Sequence, residues 1–272
     1  MKKQNQSPAP DEIRDLPYVD LLALMGESNL PPGGFAGIRR LIRYNHIHAS
    51  SQVLHIGSSA GYLARELSRL TGCDVRGIDI SQKMVDSANS RALAEGLQKK
   101  CVYECADVRT YHSKRKFDVV LTGGALAFVE GHNKAVKAMV AATKPYGFVT
   151  ICELAYHTPP SDELRQKVTG IIGVEVPEYK QDYWLKLMEH PELLRWKTII
   201  KPESVPRDDE VVAYCRKMAH WVGKDWSNDS LIALESRLKD IFLLFAANNR
   251  HLSSVFVASR KIPPEAEPML FI

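Results

Sequence analysis

The 272-residue sequence predicts an α/β fold, a mostly parallel sheet with helices on both faces. Strand-like apolar runs alternate with segments of helical periodicity, and the strands are apolar almost throughout, as in 117–121 (FDVVL). Five strands are predicted near 52–57, 73–80, 100–106, 117–123 and 147–154, with helices near 61–71, 82–96 and 132–143 between them.

Beyond the fifth strand the alternation is replaced by helices. Two prolines at 159–160 precede a helix that begins near Asp162, and a second helix is predicted at 181–195. A strand at 196–200 and a final strand at 253–258 flank two further helices, near 208–221 and 228–247. The expected arrangement therefore has a helical insertion of about fifty residues before the last strand.

The predicted domain organisation is a single domain over 11–262. Its parts are an N-terminal helical lid at 11–50, a core at 51–157, and helical cap elements at 158–195 and 207–248. Residues 1–10 are expected to form a disordered leader, and 263–272 a loosely packed tail.

Composition narrows the class of protein. The hydrophobic content of 45% and the charged content of 25% are typical of a soluble globular chain, and a net charge of +4 gives no argument for a nucleic-acid partner. The basic runs at 39–43 and 114–116 are interpreted as solvated faces. No apolar run is long enough to span a bilayer, and the N-terminus lacks the apolar segment of a signal peptide.

The five cysteines show no Cys-x-x-Cys pair and no metal-site spacing, so no metal is expected. Free cysteines in predicted strands are typical of a reducing compartment, and a cytoplasmic location is expected.

The most informative segment is a turn of small residues between the first strand and its helix. Gly57-Ser58-Ser59-Ala60-Gly61 lets a ligand lie against the main chain, and the following helix offers free N–H groups. Asp79 ends the next strand, 22 positions after Gly57, where a carboxylate can bind a ribose diol. Together these features predict a nucleoside pocket.

Two other classes share part of this pattern. A dinucleotide-binding fingerprint would have its third glycine at Tyr62, so a nicotinamide-dependent oxidoreductase is less favoured. The letters G-x-S-x-G also match the nucleophile elbow of α/β-hydrolases, with Ser59 as nucleophile. That elbow follows several strands, whereas only about fifty residues with little strand character precede this turn.

The pattern resembles the first motif of class I S-adenosylmethionine (SAM) dependent methyltransferases, with Ser59 in place of the middle glycine. The resemblance implies a seven-stranded, Rossmann-like sheet and SAM as cofactor, with S-adenosylhomocysteine as product. It also implies that Asp79 holds the ribose hydroxyls and that Asp107 and Val108 meet the adenine. The cofactor-binding residues implied in this way are Gly57, Ser58, Ser59, Gly61, Asp79, Ile80, Met84, Asp107, Val108, Thr122 and Gly123.

Two positions depart from the family pattern. His55 stands where the family usually has an acidic residue near the methionine ammonium group. Ser59 adds a Cβ near the cofactor, which we expect to be tolerated if its φ is below zero. Both departures are compatible with an active enzyme, an altered cofactor, or a methyltransferase-like binding or scaffold subunit.

The acceptor site is expected beyond the carboxyl ends of the strands. Glu153 and His157 follow the fifth strand and are the candidate catalytic residues, although a base is required only when the acceptor must lose a proton. Tyr156, Tyr183 and Trp184 are the candidate substrate-binding residues. The preferred function is methyl transfer from SAM to a small molecule, with no nucleic-acid partner and with a homodimer left open.

Overall fold

The computed structural model describes residues 7–25, 30–175 and 178–264. Residues 1–6 of the predicted leader and 265–272 of the predicted tail lie outside these ranges. The described chain divides into two compact units, and the predicted domain organisation stays a prediction. The first unit comprises Met1–Glu27, Thr158–Pro177 and Pro202–Leu252, and the second comprises Ser28–His157, Glu178–Lys201 and Ser253–Ile272.

The described strands form one seven-stranded sheet with the order β3-β2-β1-β4-β5-β7-β6. They are β1 (Gln52–Ile56), β2 (Asp74–Asp79), β3 (Cys101–Cys105), β4 (Phe117–Thr122), β5 (Thr143–Tyr156), β6 (Leu193–Pro202) and β7 (Leu252–Lys261). The pairs β1–β2, β1–β4, β2–β3 and β4–β5 are parallel. The predicted seven-stranded, mostly parallel α/β fold is confirmed.

Ten α-helices lie in the described part of the chain. They are α1 (Pro10–Arg14), α2 (Tyr18–Met25), α3 (Gly34–Tyr44), α4 (Tyr62–Thr71), α5 (Gln82–Ala94), α6 (His132–Ala142), α7 (Asp162–Ile172), α8 (Gln181–Leu187), α9 (Asp208–Val222) and α10 (Asn228–Asn249).

In the second unit, alternate strand residues face two separate cores. Val53 of β1 packs with α3, α4 and α5, whereas its neighbour Leu54 packs with α6 and α8 on the other face. Both side chains are fully buried. Since side chains alternate along a strand, a sheet buried on both faces requires apolar residues at consecutive positions, as the sequence shows.

Two element boundaries differ from the sequence prediction. The helix predicted at 181–195 ends at Leu187, because Pro191 cannot continue a helix. Strand β6 begins at Leu193, two residues after this proline. Strand β5 begins at Thr143, earlier than predicted, and includes a bulge where Tyr146 has a φ of +62°.

The first unit is a group of helices: α1, α2, α7, α9 and α10. Leu234, Leu238 and Ile241 lie on the predicted apolar stripe of α10 and are fully buried. The residues just before α1 also pack here: the Ser7 hydroxyl lies 2.8 Å from Ser230 Oγ, which donates to the Pro8 carbonyl. Ser7 and Pro8 thus contact the start of α10. No helix within the described ranges combines the length and apolar character of a membrane span.

Candidate functional site

The turn between β1 and α4 has three left-handed residues. Gly57, Ser59 and Gly61 have φ values of +64°, +47° and +81°. The expectation that Ser59 would have a negative φ is therefore wrong. The main-chain N–H of Ser59 donates to a carboxylate oxygen of Asp79 at 2.8 Å, and this contact accompanies the left-handed conformation. A non-glycine residue in that region costs about 1–2 kcal/mol.

Asp79 joins this turn to the end of β2. Its Oδ2 accepts from the N–H of Ser59, and its Oδ1 accepts from the N–H of Ser81 at 2.9 Å. Each carboxylate oxygen can accept two hydrogen bonds, so each retains a place for a further donor. Asp79 therefore both fixes the turn and can receive two hydroxyl groups.

Close packing explains the glycines of the turn. A Cβ on Gly57 would overlap the Cβ of Ala125, and a Cβ on Gly61 would lie 2.6 Å from the hydroxyl of Tyr103. That hydroxyl donates to the Gly61 carbonyl at 3.0 Å. Neither position has room for a side chain.

A cavity of about 460 Å³ opens beside the turn, at the carboxyl ends of the parallel strands. Seven of the predicted cofactor-binding residues line it: Gly57, Ser59, Asp79, Ile80, Asp107, Val108 and Gly123. The side chain of Ile80 is 72% exposed, as expected for an apolar residue that covers a ligand. This size is in the range of small-molecule sites.

Four predicted cofactor residues are not part of the cavity lining. Ser58 and Thr122 are buried, and Gly61 precedes α4 and packs on Tyr103. Met84 is buried behind the turn, where its sulfur lies 3.8 Å from the hydroxyl of Ser59. Their roles in cofactor binding remain predictions.

Sequence reasoning missed part of the lining. The segment after β4 contributes Ala125, Phe128, Val129 and Glu130, and Phe128 is 55% exposed. The available sequence signal was an aromatic residue in the segment that follows a predicted parallel strand.

Asp107 is already paired in this structure. Its carboxylate accepts from Arg109 Nε at 2.9 Å and Nη2 at 2.6 Å, and from the Arg109 N–H at 2.8 Å. These hydrogen bonds to Arg109 lower the pKa of Asp107. A ligand amino group would share this carboxylate with Arg109.

His55 is buried under Gly123, with its Nε2 3.6 Å from the place of a Gly123 Cβ. Burial lowers its pKa to about 4, so the imidazole is neutral at pH 7. Its Nδ1 has no hydrogen-bond partner among the described residues. A neutral imidazole contributes no negative charge to the cavity.

Glu153, the first candidate catalytic residue, is completely buried at the end of β5. Its Oε1 accepts from Thr122 Oγ1 at 2.6 Å and from the Leu126 N–H at 3.3 Å. Burial raises the pKa of Glu153 to about 7, against the lowering effect of these hydrogen bonds. The side chain thus fixes the segment after β4 and has no open path to a substrate.

The remaining acceptor candidates lie in different settings. His157 is exposed, with Nδ1 3.0 Å from Ser253 Oγ, whereas Tyr156 is buried. Trp184 is fully buried and donates from its indole N–H to the Leu154 carbonyl. Tyr183 is 38% exposed. Their substrate roles remain predictions.

Tyr183 belongs to a polar aromatic cluster that sequence reasoning did not identify. His132 Nε2 lies 2.7 Å from the Leu126 carbonyl, which can only accept, so Nε2 carries the proton. His132 Nδ1 then accepts from the Tyr183 hydroxyl at 2.5 Å. Tyr179 stacks on Tyr183, with 4.5 Å between ring centroids.

Comparisons with known proteins agree with this geometry. Residues 53–147 match the family model described as "Methyltransferase domain". The chain is 25% identical over 194 residues to a ubiquinone biosynthesis O-methyltransferase from Shewanella pealeana, covering 68% of this chain and 76% of the relative. It is 23% identical over 189 residues to a phosphoethanolamine N-methyltransferase from Plasmodium falciparum, covering 61% and 70%.

A solved structure has the same fold. It is a SAM-dependent methyltransferase from Thiobacillus denitrificans in complex with S-adenosylhomocysteine. The TM-score is 0.64 at 18% identity, and the match covers 91% of this chain and 99% of that structure.

Proposed function

Because the chain is a class I SAM-dependent methyltransferase, we propose that it transfers the methyl group to a small-molecule acceptor. The observation that carries this proposal is the cavity at the strand ends, in which the turn at 57–61 and the carboxylate of Asp79 meet. By their names, one relative described above acts in ubiquinone biosynthesis and the other acts on phosphoethanolamine. Ubiquinone and phosphoethanolamine are both small molecules.

The residues of the cavity fit SAM. Gly57 lines the cavity beside Asp79, and Asp79 retains an acceptor position on each oxygen for the two ribose hydroxyls. Ile80 and Val108 offer apolar surface to the adenine, and Asp107 offers a carboxylate to its amino group. When bound, SAM supplies an electrophilic methyl group on a sulfonium centre.

The chain's own contribution is then to place the acceptor and exclude water. Phe128 is exposed at the cavity, and Tyr183 extends from the aromatic cluster behind the same segment. We assign Phe128 to the wall of the acceptor site and retain Tyr183 as a second candidate.

Glu153 is better placed as a positioning residue than as a base. It holds Thr122 and the Leu126 N–H, and thereby fixes the loop that carries Phe128. His157 is the accessible base candidate for acceptors that must lose a proton.

The proposal is tested with SAM labelled in its methyl group. The enzyme is incubated with the small-molecule fraction or the macromolecular fraction of a bacterial extract. We expect label in the small-molecule fraction, and expect an Asp79→Asn variant to lose most of it at limiting SAM. Label confined to protein or RNA would overturn the small-molecule assignment.

A further inference from the structure

A second cavity lies on the second unit between α3 and β6, away from the residues assigned to SAM. Its volume is about 530 Å³, and four of its lining residues are cations: Arg39, Arg40, Arg43 and Lys201. We call it the α3–β6 cavity. The sequence analysis interpreted its arginines as an ordinary solvated face.

The positive charge of this cavity is not balanced by the chain. Neither α3 nor β6 contains an aspartate or glutamate. Among the described residues, no salt bridge involves its three arginines or Lys201, whereas arginines elsewhere, such as Arg65, Arg76 and Arg250, have carboxylate partners. Arg39 and Arg43 are also four residues apart on one helix, where like charges repel. Such an arrangement is stabilised when an anion binds.

The cations are held by contacts beneath and between them. Arg40 Nη1 lies 3.5 Å from the hydroxyl of Ser254, a buried residue of β7 that also donates to the Lys201 carbonyl. Arg43 and Lys197 each lie 5.5 Å from the ring centroid of Tyr44. The Tyr44 ring packs in turn on Phe256 of the core. Arg43 and the neighbouring Lys197 therefore lie against a fixed aromatic ring, and Arg40 lies against β7.

The floor of the cavity is apolar. Ala36, Ile42 and Ile199 line it together with Tyr44. Arginine binds phosphate oxygens in pairs through its planar guanidinium, and three arginines with a lysine can satisfy several such oxygens. The volume is that of a small-molecule site rather than of an extended groove.

From this arrangement we propose that the α3–β6 cavity binds a phosphorylated small molecule that carries at least two negative charges and an apolar or aromatic portion. The phosphate groups contact Arg39, Arg40, Arg43 and Lys201, and the apolar portion lies on Ile42 and Ile199. This site is additional to the SAM cavity and takes no part in methyl transfer.

The probe for the test is tripolyphosphate, titrated calorimetrically into the full chain at low and at moderate salt. An Arg39→Gln/Arg43→Gln variant is compared with the control Lys114→Gln/Lys137→Gln, which removes the same charge from exposed positions elsewhere. Circular dichroism and thermal unfolding establish that each variant is folded. We expect one site in the wild type, a loss of at least about 30-fold in the arginine variant, and a change under about twofold in the control.

Three outcomes would overturn the proposal. The first is absence of tripolyphosphate binding up to about 5 mM. The second is an equal loss in the arginine and control variants, which would indicate net charge alone. The third is binding only to phosphatidylserine vesicles or to a single-stranded RNA that tripolyphosphate does not displace, which would assign the surface to a membrane or to RNA.

Discussion

The buried carboxyl of Glu153 gives a prediction whose magnitude follows from the structure. Its pKa is raised from 4.5 to about 7 in the folded chain, so the folded state holds a proton that the unfolded state has released. This stabilisation is fully present below pH 4.5 and is lost as the pH rises through 7. Between pH 5 and pH 8 it amounts to about 2.5 kcal/mol in the free energy of unfolding.

His55 contributes with the opposite sign. Its pKa is lowered from 6.5 to about 4, so the stability associated with the neutral ring is present above pH 6.5 and is lost as the pH falls towards 4. Between pH 8 and pH 5 this loss is about 2 kcal/mol. The two contributions nearly cancel in the wild type, and only a variant separates them.

Glu153→Gln is the informative substitution, because glutamine keeps the size and the carbonyl acceptor but does not titrate. Urea unfolding of both proteins is measured at pH 5 and at pH 8. On lowering the pH, we expect the variant to lose about 2.5 kcal/mol more stability than the wild type. Glu163→Gln, at an exposed site, serves as the control. An equal pH dependence in wild type and Glu153→Gln would refute the assignment of a protonated, buried Glu153.

Three further outcomes are expected. His55→Leu removes the titrating ring and leaves the opposite contribution of Glu153 uncompensated, so the unfolding free energy at pH 5 minus that at pH 8 should be about 2 kcal/mol more positive than in the wild type. Urea melts showing no such change would count against a neutral, buried His55. Asp79→Asn should raise the calorimetric Kd for SAM about 30-fold, since one charge-assisted hydrogen bond is worth about 2 kcal/mol; an unchanged Kd would contradict the ribose contact. Gly57→Ala should destabilise the fold more than Gly96→Ala, because both have a positive φ but only Gly57 lacks room for a Cβ, and equal melting temperatures would contradict this packing.

The parts of the fold that sequence predicted best are those encoded locally. Consecutive apolar residues such as Val53 and Leu54 belong to a strand buried on both faces, and this pattern does not depend on distant contacts. The turn at 57–61 and Asp79 were identifiable for the same reason, since small residues and a carboxylate at the end of a strand can be recognised directly in the amino-acid sequence. The helix predicted at 181–195 is wrong beyond Leu187, because Pro191 cannot continue a helix.

Features that arise from tertiary packing could not be predicted in this way. Helical periodicity does not show that Arg109 occupies the carboxylate of Asp107, or that Glu153 faces Thr122 and not a substrate. The positive φ of Ser59 is accompanied by a contact with Asp79, twenty residues later in the chain. The α3–β6 cavity similarly depends on Lys201 lying near helix α3.

The most direct test of the central claim is a crystal structure of the protein with S-adenosylhomocysteine. We predict that the adenosine lies across the turn at 57–61, with each Asp79 oxygen within about 3 Å of a ribose hydroxyl and with Ile80 against the adenine ring. A ligand bound elsewhere, or a ribose that makes no contact with Asp79, would contradict the assignment of this cavity to SAM.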